Sequence, residues 1–258
     1  RAQRPVVIEL GTEEVTYCWA LFSERGEIAG EEGRATGTAA NDARTAMFSA
    51  TDSLVWSCPE GEYSEVYERG YDSLARAYIE ANRANLYGGW LAERLSRQLP
   101  IDEARGLFEG LTSGVRRMEA VAPLRDRVAR DDRSQVGLRV DVLPNEVDSL
   151  LQADRYVVID FWASWNVDEQ VRADKLRTLT AQFDESELAI CRISMDNSRE
   201  QWQSAIEGDP TEWIQLRGES CGLAIESLPI SYLLSPKGRI VARAESIDEL
   251  RQALEELF

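Results

Sequence analysis

Tyr156-Val157-Val158-Ile159-Asp160-Phe161, running on into Trp162-Ala163-Ser164-Trp165-Asn166-Val167-Asp168-Glu169, is the stretch on which the reading of this chain turns. An unbroken apolar run closed by one acid suits a central strand covered on both faces, because both sides of its pleat are then buried. Just beyond it Ala173, Leu176, Leu179 and Phe183 recur at helical spacing and form one apolar stripe. Residues 188–193 read as the next strand. Residues 230–234 and 239–242 flank Ser235-Pro236-Lys237-Gly238, whose proline and glycine mark a turn between two strands. The chain closes with Ser246 and Glu249 at capping-box spacing, then Ile247, Leu250, Leu254 and Leu257 on one helical face. The predicted order after residue 136 is β-α-β-α-β-β-α, an α/β domain with a central mixed sheet flanked by helices.

Upstream the texture differs. Residues 6–10 and 15–22 mix β-branched and aromatic side chains around turn signals such as Glu24-Arg25-Gly26, which predicts a β-rich segment over residues 1–40. Its Ala/Thr/Gly-rich end, residues 34–40, is expected to be a loop. From residue 41 to 131 the period becomes helical: Tyr67, Tyr71, Leu74 and Tyr78 share one face, as do Ile101, Ala104, Phe108 and Leu111. The polar run Arg130-Asp131-Asp132-Arg133-Ser134 has no apolar face and reads as a linker before a domain at 136–258.

The 258 residues, 43% of them hydrophobic, are enough for two packed cores. A net charge of -17 argues against nucleic acid and anionic membranes as partners, because phosphate binding needs clustered lysine and arginine. The chain has no histidine, which excludes Ser-His-Asp and Cys-His chemistry. Cys18, Cys58, Cys191 and Cys221 are scattered without a C-x-x-C, so neither a metal site nor a local redox pair can be read, and no cofactor is expected. No stretch approaches the length of a transmembrane span.

Val157 to Trp165 resembles the strand that leads into the Trp-Cys-x-x-Cys motif of thioredoxins and bacterial redoxins. Leu228-Pro229-Ile230 then resembles the cis-proline strand of that family, and Pro236-Lys237-Gly238-Arg239-Ile240 its hairpin turn. Within the superfamily the chain is most similar to the cell-envelope thiol-disulfide oxidoreductases related to TlpA and ResA, including those with an amino-terminal β-plus-helical extension. Residues 37–42, the helices around 82–95 and Val136-Gly137 resemble landmarks of that subgroup. The resemblance implies a thioredoxin-like fold and a place in the cell envelope or periplasm. With a chain beginning at Arg1, the expectation is a leader already removed, and a lipid anchor in the full-length precursor.

The two cysteine positions of the motif hold Asn166 and Glu169. In a working site the first cysteine sits at a helix amino terminus that lowers its pKa. Asparagine cannot supply that thiolate, and the expectation is that Asn166 caps the helix while Glu169 sits in its positive first turn. Asp160 matches the acid that shuttles protons beneath the thiols, and without them it has no evident redox task. The resemblance implies that a peptide or protein partner could still pair along the cis-proline groove through Trp165, Pro229 and Ile230, since strand addition needs no cysteine. Trp162 is expected to be a packing residue. The alternative reading is an active oxidoreductase with a relocated thiol, Cys221 alone or with Cys191, and a bridge between Cys18 and Cys58 is a further option in an oxidising compartment. A third reading assigns function to the amino-terminal region and leaves the redoxin domain as support.

Overall fold

The computed structural model describes residues 5–11, 16–22, 29–31, 34–59, 63–207, 209, 211–218 and 221–258. The chain divides into two units, Arg1–Val128 and Ala129–Phe258.

In the first unit β1 (Pro5–Gly11) pairs antiparallel with β2 (Thr16–Phe22), and β3 (Ala29–Glu31) with β4 (Arg34–Thr36). Helices α1 (Ala39–Ser57), α2 (Tyr63–Ala81), α3 (Leu86–Ser96), α4 (Ile101–Gly110) and α5 (Ser113–Arg116) follow, and α6 (Ala122–Arg133) begins in this unit and ends in the second. Their apolar stripes meet in one core that includes Ala75, Leu91, Leu111, Val121 and Leu124. Asn85 caps α3 by accepting a hydrogen bond from the Gly88 amide at 3.1 Å. Gly88 is required there, since a Cβ would stand 2.1 Å from the Asn82 carbonyl oxygen. The expected loop at 34–40 is instead the strand β4, a turn at Gly37-Thr38 and the start of α1, because buried Thr38 and Asn41 bond to each other at 2.8 Å and fix the helix entry.

The second unit contains α7 (Asn145–Gln152), β5 (Tyr156–Trp162), α8 (Glu169–Thr180), β6 (Leu188–Ser194), α9 (Arg199–Ile206), β7 (Ile214–Arg217), β8 (Ile230–Leu234), β9 (Ile240–Ala244) and α10 (Ile247–Glu255). The sheet has the order β7-β6-β5-β8-β9. Strands β5, β6 and β7 run parallel, while β8 and β9 are antiparallel. This is a mixed sheet with the thioredoxin-like topology. Alternation along β5 sends Val157, Ile159 and Phe161 into one core and Val158 into another, under α8 and α10, so both faces are covered. The Leu228-Pro229 peptide is cis and leads directly into β8. Ser246 accepts from the Glu249 amide at 3.2 Å while Glu249 accepts from the Glu245 amide at 2.8 Å, so α10 starts on a capping box.

Three sequence expectations need correction. Helix α7 and strand β7 were not foreseen: α7 is a short helix, and β7 is an edge strand of four half-buried residues without a solid apolar run. Leu257 lies beyond the end of α10 and is 37% exposed. The run 130–134 is not a linker but the last turn of α6 and the residue after it, with Asp131 and Ser134 buried. Asp131 binds Arg243 at 3.0 Å, and the Ser134 hydroxyl accepts from the Ala224 amide at 2.8 Å. Polarity here reflects specific partners on the sheet domain rather than solvent.

Candidate functional site

Strand register builds the site before any loop does. Asp160 on β5 stands opposite Arg192 on β6 and Ser231 on β8, so the three side chains form one row on the α8 face of the sheet. Asp160 is fully buried, and a buried carboxylate must be paired or hydrogen-bonded. Here it accepts from Arg192 Nε at 3.1 Å, from Arg172 Nη2 at 2.8 Å and from the Ser231 hydroxyl at 2.8 Å. Arg172 also donates to Ser231 at 2.7 Å.

Glu169, Arg172, Ala173 and Leu176 are one, three and four positions apart along α8, which puts all four on its buried face. Glu169 thereby reaches Arg192, whose Nη2 donates to Glu169 Oε1. The Arg192 guanidinium also lies over the Trp162 ring, 4.5 Å from its centroid. Two carboxylates and two guanidiniums thus close a neutral chain, Arg172-Asp160-Arg192-Glu169, beneath the amino terminus of α8. Burial pushes the Glu169 carboxyl above its ordinary value, and Arg192 pulls it back only in part.

Glu169 sits in the first turn of α8, but Asn166 is not its cap. Helix α8 starts at Glu169 with Asp168 as its cap residue, and Asn166 lies two residues earlier. Asn166 Oδ1 accepts from the Asp168 amide at 3.3 Å, an Asx-type turn, while its Nδ2 donates at 3.2 Å to the Leu228 carbonyl, which belongs to the cis peptide bond itself. Glu169 spends its charge on Arg192 in the interior rather than on exposed amides. Both positions are therefore built into fixed contacts.

Exposed apolar side chains flank them in the sequence. Trp165 is 64% exposed, Val167 95% and Val171 55%, and Pro229 is half-buried. The structure brings Asn166 to the cis peptide bond, whereas the Ile230 side chain is fully buried in the core and cannot face a partner. Trp162 is a buried packing residue, 2% exposed. Cys191 and Cys221 lie within one buried cluster, Cys221 at a left-handed φ of 54°. Cys58 is a free, half-buried thiol at the end of α1; the side chain of Cys18 lies outside the described residues.

Sequence reasoning missed Arg172 and Arg192. The available signal was an arginine inside each of two apolar patterns, the strand at 188–193 and the buried stripe of α8, which only a buried acid such as Asp160 can accommodate.

No family model and no curated protein matches the chain. Among solved structures it is similar to the thioredoxin domain of a thiol-disulfide oxidoreductase from Bacteroides vulgatus, with 22% identity over 48% of this chain and 96% of that one and a TM-score of 0.40. A thiol-disulfide oxidoreductase from Bacteroides fragilis is 33% identical over 41% of this chain and 82% of that one, TM-score 0.36. A thiol:disulfide interchange protein from a Bacteroides species is 22% identical over 48% and 88%, TM-score 0.38.

Proposed function

The chain belongs, through residues 129–258, to the thioredoxin-like redoxins, and from that premise we propose that it binds a peptide or protein partner without exchanging disulfides. One observation carries the reading: the two cysteine positions are committed to internal contacts, Asn166 to the Leu228 carbonyl and Glu169 to Arg192, while Trp165 and Val167 beside them stay exposed. The exposed Trp165 indole, adjoining Asn166 that is tied to the cis peptide bond, supplies a flat apolar platform for an extended segment. A relocated thiol is disfavoured by access, since Cys191 is fully buried and Cys221 is 7% exposed, and exchange needs an attacking thiolate that reaches its disulfide. The family resemblance also supports a place in the cell envelope, which fractionation of the native host checks.

The test uses the full chain, a panel of fluorescently labelled extended apolar peptides and an insulin-reduction assay. Binding that weakens by about tenfold or more in Trp165→Ala, with no insulin turnover, supports the reading. Sustained turnover, or peptide binding indifferent to Trp165→Ala, overturns it.

A further inference from the structure

The loops that leave β5 and β6 emerge side by side, because Trp162 and Ser194, the last residues of these parallel strands, are register partners. The Met195 amide extends the ladder by donating to the Trp162 carbonyl at 2.8 Å. Two residues beyond each strand end, Ser164 meets Asp196. In open α/β sheets the carboxyl ends of the strands are where ligands meet the fold.

Asp196 is 2% exposed, and among the described residues its carboxylate is held by neutral donors only. Both of its oxygens accept from the Ser164 amide at 3.1 Å. Oδ1 also accepts from the Ser164 hydroxyl at 2.9 Å, and Oδ2 from the Ser194 hydroxyl at 2.7 Å. Burying a charge is costly unless it is hydrogen-bonded, and bonds to a carboxylate are about twice as strong as neutral ones. This acid therefore grips Ser164 rather than filling space. Arg217, at the end of β7, braces the gripping segment, its Nη1 donating to the carbonyls of Asp196 at 3.1 Å and Asn197 at 3.3 Å.

Ser164 is covalently next to Trp165. On the other side Asn166 is tied to the Leu228 carbonyl, and its amide closes a turn on the Ala163 carbonyl at 3.1 Å. Trp165 is thus anchored through both neighbours while its side chain stands in solvent. A group held in this way loses less freedom when a partner docks on it.

We propose that Asp196 is a positioning residue for the Trp165 surface: its hold on Ser164 pre-orders the exposed indole and so tightens the binding of an extended apolar segment. The inference rests on the reading that the partner meets Trp165. Asp196 acts through Ser164 and does not touch the partner.

The experiment measures two quantities on isotope-labelled full chain: the fast motion of the Trp165 indole N–H by nitrogen relaxation, without peptide, and the Kd of the tightest peptide of the apolar panel. Asp196→Ala is expected to raise the Trp165 motion and weaken binding by about fivefold to tenfold. The indoles of Trp162 and Trp213, packed on Arg192, keep their wild-type motion. Asp196→Asn keeps a carbonyl oxygen for Ser164 and donates its amide to the Ser194 hydroxyl, so it returns both quantities to within about threefold of wild type. Arg217→Met loosens the 196–197 segment from outside the turn, moves both quantities the same way by less, and carries the test if Asp196→Ala does not fold. Ser134→Ala, which lowers stability through Ala224 instead, leaves both unchanged. The proposal is overturned if Trp165 motion stays at its wild-type level in Asp196→Ala and Arg217→Met, if Ser134→Ala raises it as much, or if affinity falls without a change in motion. Should no peptide bind the wild type while Trp165 loosens as expected, the binding reading fails and the ordering by Asp196 stands.

Discussion

Arg192→Met removes the link between the two buried carboxylates while keeping most of the side-chain volume. Asp160 retains Arg172 at 2.8 Å and Ser231 at 2.8 Å, but Glu169 loses its ion pair and remains buried. Breaking a buried pair and leaving its charge uncompensated costs about 3–5 kcal/mol. With a urea m-value near about 2 kcal/mol/M, the unfolding midpoint at neutral pH falls by roughly 1.5–2.5 M. The pH dependence identifies the cause. The Glu169 carboxyl already lies above its ordinary value of 4.5 in the folded protein, chiefly through burial. A group whose folded pKa is raised contributes stability fully below its unfolded pKa, and that contribution is lost as pH rises through the folded one. Without Arg192 the folded pKa rises further, so the variant loses most at neutral pH and recovers as acid returns the Glu169 proton. A packing defect over Trp162 would instead cost the same at every pH. Urea unfolding followed by the Trp162 indole resonance, at neutral pH and at a series of lower values, makes the comparison. A neutral-pH loss below about 1 kcal/mol, or one that does not shrink in acid, refutes the reasoning.

Three further outcomes are expected. In native protein maleimide labels Cys58 readily, while Cys191 and Cys221 label only on unfolding, as peptide mapping by mass spectrometry reports. Ser134→Ala strands the buried Ala224 amide and costs about 1–3 kcal/mol in chemical unfolding. Gly88→Ala forces a Cβ to within 2.1 Å of the Asn82 carbonyl oxygen and destabilises the helical unit, by about 1–3 kcal/mol if the helix shifts to relieve it, measured as a lowered thermal midpoint.

The sheet domain was legible because its signals are local: a doubly covered strand at 156–161, a capping box at Ser246, and a proline preceding an apolar strand. The charge chain was not, because Asp160 and Arg192 are 32 residues apart and meet only through the β5–β6 register. Reading Asn166 as the cap followed local propensity, which the Leu228 carbonyl outcompeted, while Glu169 does open the first turn of α8 and turns its carboxylate to Arg192. The polar run 130–134 misled for the same reason, since composition shows that a residue is polar but not whether a partner waits for it.

The contacts of that run decide where the sheet domain can be cut from the chain. A fragment starting at residue 136 matches the sequence signature, yet it discards Asp131 and Ser134, leaving Arg243 without that carboxylate and the Ala224 amide without its acceptor. A fragment starting at or before Ala129 keeps both, so a failure to express residues 136–258 would report on the choice of end rather than on the fold.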